Sequence, residues 1–410
     1  RDAVYMNKTT IQTFSNTGTI KSEGNSNGIG VNVLGGSSIS SFENKGLIEG
    51  KQRGIDMTSP SITNFSNTGV IKAEKHTALL SRNDNSTITN FTNKGTIESA
   101  ATPTNANTQH FSISGLYLNR TTTETLTNEG LIKGGIGLNI QGSKIKTIIN
   151  KGTIESTANS KFIKTGSFDI RSATGAPSTI QNIINEGLIK SASNGIFYEV
   201  SNNVETIINK GTIQAEEYGI YISNVDNTGV DTKLGKIILE KDSVINAKKD
   251  IINIDIQSNK KLELSGIDIQ KGATIKSENG AAINVASNNQ ITGDINIAGK
   301  IEAKTGISNQ GNISASISAS GDTPLVIENK GNGNIGGSIN TSDNVALSLT
   351  NSGNGNISGS ITSTSNAPIT IKNEGSSTIG GNIKATGDAP ISITNSSSKG
   401  IQGNITSSGN

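Results

Sequence analysis

A ten-residue pattern, Ile/Val-x-x-apolar-x-Asn-x-Gly-x-Ile, recurs through the first half of this chain and leaves it few folds to choose from. It runs through Ile11, Phe14, Asn16, Gly18 and Ile20, then through Ile39, Phe42, Asn44, Gly46 and Ile48, and returns around Asn67, Asn93, Asn150, Asn185 and Asn209. The copy at Asn128 keeps Leu126, Gly130 and Ile132 but opens with Thr123. Steps between successive asparagines are 28, 23, 26, 35, 22, 35 and 24 residues. Between copies lies a short Gly-Ile segment, as at Gly54-Ile55, Gly135-Ile136, Gly195-Ile196 and Gly219-Ile220. The last third is stricter. Ile313, Ile335, Ile357, Ile379 and Ile401 stand 22 residues apart, and Asn329, Asn351, Asn373 and Asn395 keep the same step. Pro324, Pro368 and Pro390 each precede an apolar pair such as Leu325/Ile327, a place where a strand begins and a missing amide costs little.

A period near 22 that holds two or three short strands matches one coil of a solenoid. A single coil cannot bury its own isoleucine face, but coils stacked at about 4.8 Å share a core and a main-chain hydrogen-bond ladder. Composition agrees: 61 Ile, 51 Asn and 48 Gly among 410 residues supply β-branched strand formers and corner residues that tolerate positive φ. Long helices are excluded by the same mixture. Charged residues are 17% of the chain, too few for a segment held open by charge. Leucine-rich repeats need a Leu scaffold that is missing, and six- and nine-residue repeats have the wrong period. The expected fold is all-β, a right-handed parallel β-helix of about 22–26 residues per coil. At roughly 23 residues per coil, about 18 coils would make a rod on the order of 85 Å.

Register follows from the pattern. Phe14, Phe42, Phe65 and Phe91, then Leu126, Ile148, Ile183 and Ile207, are expected to form one internal ladder with the four rings stacked. The repeat asparagines are expected to hydrogen-bond amide to amide along a corner. Lys94, Glu129, Lys151, Glu186 and Lys210 follow the repeat Asn and read as solvated corners. Residues 1–290 form the decorated, prospective binding region and 291–410 a plain stalk, together one continuous solenoid; every aromatic lies at or before Tyr221. Extra material near Ala101–Phe111 and Ser156–Pro177 is expected to form loops on one face, where solenoids often bind.

Little chemistry is legible. The chain has no Cys, which removes disulfides and thiolate sites. His76 and His110 sit in no recognisable triad or metal spacing and read as surface residues. Glu216 and Glu217, near Tyr218 and Tyr221, are the best carboxylate cluster for a polysaccharide-cleaving site, but neighbours on a strand face opposite ways. No catalytic, cofactor-binding or metal-ligating residue is assigned, and the chain is read as not an enzyme. A net charge of +2 argues against nucleic acid as a partner.

The blocks NKGTIES at Asn93–Ser99 and again at Asn150–Ser156, with the regular GNIGGSI, GNISGSI and GGNI segments, resemble the passenger-domain repeats of bacterial autotransporters. Large filamentous haemagglutinins exported by a partner protein share this style. The family's membrane β-barrel has no counterpart here and the chain stops at Gly409-Asn410 partway through a repeat, so it reads as an excised segment; the Gly-Asp-Ser-Gly motif of protease-type passengers is missing, which speaks against that branch. The resemblance implies a surface-displayed or secreted adhesin and virulence factor at the outer membrane, attaching to a host-cell protein or glycan. The alternative it leaves is a self-associating aggregation or biofilm factor, and it implies membrane contact only through the missing barrel. Freedom from Cys suits passage through an export pore.

Overall fold

The computed structural model describes residues 2–23, 27–103, 112–159, 164–173, 175–224, 232–256, 262–287, 289–386 and 388–408. Every regular element among them is a β-strand, and every pairing between named strands is parallel. The fold is a β-solenoid of about 16 turns made of three stacked parallel sheets. That is fewer than the 18 expected, because several turns carry extra residues and so use more chain each. Contacts divide the turns into two units, Arg1–Glu205 with Gly211–Glu217, and Thr206–Lys210 with Tyr218–Asn410.

In the first unit each turn places one strand in each of three sheets. Sheet A holds strands such as Arg53–Thr58 and Gly166–Arg171, sheet B strands such as Ser61–Asn67, and sheet C strands such as Thr96–Ser99. Like pairs with like. On sheet C, Ile48, Ile71, Ile97, Ile132, Ile154, Ile189 and Ile213 are successive partners and none has measurable exposure. Each such burial stabilises by about 1.5–3 kcal/mol relative to an exposed side chain. On sheet B the expected aromatic ladder is present. The Phe14, Phe42, Phe65 and Phe91 rings stack at 4.6, 4.9 and 4.7 Å, followed in register by Leu126, Ile148 and Ile183.

The corner after sheet B explains Asn-x-Gly. Asn44 Nδ2 donates to Asn67 Oδ1 at 2.8 Å, Asn67 to Asn93 at 2.7 Å, and Asn93 to Asn128 at 2.8 Å, all buried. The backbone carbonyl of each asparagine also accepts two amides of the next turn, as Asn16 O does from Lys45 N (2.8 Å) and Gly46 N (3.1 Å). Glycine follows for a reason other than positive φ, which these positions do not have. A Cβ on Gly46 would lie 1.9 Å from the carbonyl oxygen of Gly18, and one on Gly95 would lie 2.0 Å from that of Gly69. Stacked corners approach too closely for any side chain.

Outside sheet C the sequence alternates in charge turn by turn: Lys21, Glu49, Lys72, Glu98, Lys133, Glu155, Lys190. Ion pairs span 3.3 Å at Lys21–Glu49, 3.7 Å at Glu98–Lys133 and 3.8 Å at Glu155–Lys190. Each exposed pair contributes about 0–1 kcal/mol. Their sum matters for register, because skipping one turn would set every charge against its own sign.

In the second unit the asparagine ladder changes corner. At the end of the sheet-B strand Asn209 is succeeded by Leu239 and then Ile269, and from Asn309 the buried amides sit at the end of the sheet-A strand instead. Sheet C ends at Lys300–Glu302. Sheet B divides, since Leu262–Ile269 pairs with both Gln290–Ile291 and Ile295–Ile297. The bend between them is Thr292-Gly293-Asp294, where a Cβ on Gly293 would meet Ser265 O at 1.8 Å. The strict 22-residue repeat is therefore a two-sheet turn with a kinked second sheet.

Candidate functional site

Alternation along sheet A of the first unit points Val31, Ile55, Leu79, Leu116, Leu138 and Ile196 inward. The row pointing outward is Asn32, Asp56, Leu80, Tyr117, Asn139, Asp169 and Phe197. Outward rows are normally solvated, as the Lys/Glu row of sheet C is. The terminal rung of the row, Tyr5, is 59% exposed, but from Asn32 onward the row is buried, Asn32 itself being 8% exposed. A polar, charged and aromatic row has been removed from water, and its hydrogen bonding decides what it can do.

Two charged centres lie on the row. Asp56 Oδ2 accepts from Arg53 Nη1 at 3.0 Å and Arg82 Nη2 at 3.1 Å. Burial pushes its carboxyl upward while the two guanidiniums oppose that. His76 is half-buried, not the surface residue expected, and burial together with Arg53 and Lys75 pushes its pKa down. At the second centre Asp169 Oδ2 takes Arg171 Nε at 3.1 Å and Nη2 at 3.0 Å, and Oδ1 accepts from the Gly166 amide. Burial raises Asp169 to about 6 against the pull of Arg171. The Arg171 guanidinium lies 4.6 Å over the Phe197 ring. Between the centres Tyr117 hydrogen-bonds Gln141 and accepts from Asn119 Nδ2 at 3.0 Å; burial pushes its phenol up to about 12.

Several acceptors on this face remain unmet. Among the described residues Asn32 Oδ1, Asp56 Oδ1, Asn119 Oδ1 and Asn139 Oδ1 are buried and accept no hydrogen bond, and Arg53 Nε donates none. Such atoms cost about 1–3 kcal/mol each when left alone. Closed to solvent, these atoms form an internal polar layer, and its margin, at Arg82 and Asn119, is partly exposed.

The two insertions meet at their bases: Ala101, Ile113, Ile136 and Ala158 form one small apolar cluster. Ser156–Pro177 is not wholly a loop, because it contains the sheet-A strand Gly166–Arg171 and a tight Ala173–Ala176 bridge. Most of Ala101–Phe111, with His110, lies outside the described residues. Glu216 and Glu217 fall in the bend after Thr212–Ala215 rather than on a strand. Tyr218 and Tyr221 stack on one another at 4.8 Å. Asp56 and Asp169 stand four rungs apart, about 19 Å at 4.8 Å per rung, beyond the roughly 5–10 Å over which paired carboxylates share a glycosidic bond.

Sequence reading missed Asp56, Arg82, Asp169 and Arg171. The available signal was an acid directly after the Gly-Ile pair (Gly54-Ile55-Asp56) or inside an apolar strand (Phe168-Asp169-Ile170). No protein-family model matches the chain, and no curated protein or solved structure is significantly similar to it.

Proposed function

We propose that this chain is the passenger region of a bacterial autotransporter, displayed at the cell surface or released from it, and that it attaches the cell to host surfaces. Its attachment surface is the margin of sheet A in the first unit, where Arg82 and Asn119 are partly exposed. One observation carries the reading: at that margin the Arg82 guanidinium, 41% exposed and held by the buried Asp56, and the Asn119 amide, bonded to Tyr117, present fixed polar groups to solvent. The stacked-coil architecture supports it, since such folds form long faces from local contacts. Freedom from Cys supports export.

The test is flow-cytometric binding of the purified chain to epithelial cells. Arg82 and Asn119 reach the edge of the face, and Arg82→Ser with Asn119→Ala should weaken half-maximal binding about tenfold, or 1.4 kcal/mol. Lys72→Ser, which removes a charge from the solvated sheet-C row, should leave it unchanged. Equal loss in both variants, or none in either, removes sheet A from the proposal. A wild-type chain that binds no cells but dimerises in sedimentation replaces adhesion with self-association.

A further inference from the structure

In the second unit a groove of about 550 Å³ runs along the later of the two short ladders into which sheet B divides. One wall is the outward row of the later short ladder, Asn296, Ser318, Asn340 and Thr362, paired turn to turn. The lining continues onto Ala298, Ser320 and Ser342, the residues that directly follow each of these strands. These polar groups differ from the asparagines on the adjoining ladder. There Asn334 Nδ2 donates to Asn312 at 2.7 Å and Asn356 Nδ2 to Asn334 at 3.2 Å, so those amides are committed to each other. Among the described residues no side-chain hydrogen bond within the chain engages Asn296, Ser318, Asn340 or Thr362.

We propose that this groove binds a neutral, extended, β-linked polysaccharide laid along the stack, one sugar per turn. The reasoning starts from spacing. Each turn repeats a hydroxyl or amide at about 4.8 Å, and an extended β-linked hexose chain advances by close to that step. Each hydroxyl or amide both donates and accepts, as each sugar hydroxyl does. An extended peptide advances about 3.3 Å per residue and falls out of step within a few turns. A nucleic acid needs cations along its phosphates, whereas the four-residue row holds none; Asp268 precedes it and Lys384 follows it. The inference rests on other residues than the attachment surface and stands or falls separately.

The experiment is titration calorimetry of the full chain with β-1,4-linked glucose oligosaccharides of two to eight units, and with α-1,4-linked ones as the coiled control. Affinity should rise with length, level off at roughly four units to match the four-residue row, and be absent for the α-linked series. Asn340→Leu with Thr362→Val, both outward and compatible with a strand, should weaken binding about tenfold at unchanged melting temperature. Binding that ignores length or linkage, or that survives in the double variant, overturns the proposal. So does no binding at all, including the case in which the variant abolishes a dimer seen by sedimentation, which would make the groove a contact between copies.

Discussion

Asn128→Ala isolates the corner ladder in one substitution. Asn128 has no measurable exposure. Its Oδ1 accepts from Asn93 Nδ2 at 2.8 Å, and its Nδ2 donates to Asn150 Oδ1 at 2.8 Å and to Thr153 O at 3.1 Å. Alanine removes these and strands one donor on Asn93 and one acceptor on Asn150 in a space closed to water. The second N–H of Asn93 keeps the carbonyls of Gly95 and Leu131, both at 3.2 Å, so the loss stays local. At about 1–3 kcal/mol per stranded group, the expected cost is about 4 kcal/mol. The control is Asn395→Ala. That residue is exposed and accepts a single bond, from Asn373 at 2.9 Å, so it should cost about 0.5 kcal/mol, the scale of ordinary surface changes.

Repeat arrays can unfold in parts, so global melting alone is a poor readout. Native-state hydrogen exchange resolves the site. The amides of Lys151 and Gly152, bonded to Asn128 O at 2.7 and 2.9 Å, should exchange roughly a thousandfold faster, the equivalent of about 4 kcal/mol. Ser352 N, bonded to Asn329 O at 2.9 Å in the second unit, should not change. A cost below about 1 kcal/mol, or one equal to that of Asn395→Ala, would refute the ladder as a stabilising element.

Three further outcomes are expected. Ile183→Asp sets an unpaired charge in a core position only 1% exposed and should cost several kcal/mol, while Glu186→Ala on the exposed corner of the same turn should change little, both read by denaturant titration. Glu98→Lys places three lysines in succession with Lys72 and Lys133; it should destabilise by about 1 kcal/mol at low ionic strength, and 1 M salt should erase the difference. Because Asp169 is raised to about 6, its folded form holds a proton that the unfolded form has lost. Its contribution is full below about pH 4 and disappears as pH rises through about 6. The wild type should therefore lose more stability across that window than Asp169→Asn does, and parallel pH profiles would rule out the assignment.

The sequence by itself determined the stacking. An isoleucine returning on every turn can be sheltered only by its counterparts above and below, and the Phe14–Phe91 rings and the repeat amides had no other partners within reach of a short coil. Those contacts join equivalent positions of consecutive repeats, so periodicity alone encodes them. Three things lay beyond what the period encodes. The move of the asparagines from the sheet-B corner at Asn209 to the sheet-A corner at Asn309 was invisible because the same 22-residue step fits either corner. Composition explains corner glycines by their tolerance of positive φ, whereas Gly46 is required because the carbonyl of Gly18 lies 1.9 Å from where a Cβ would be. The outward row of sheet A, with Asp56 and Asp169, was decided by tertiary structure alone. Alternation tells which side of a strand a residue occupies; whether that side meets water depends on what packs across it, and no local spacing carries that information.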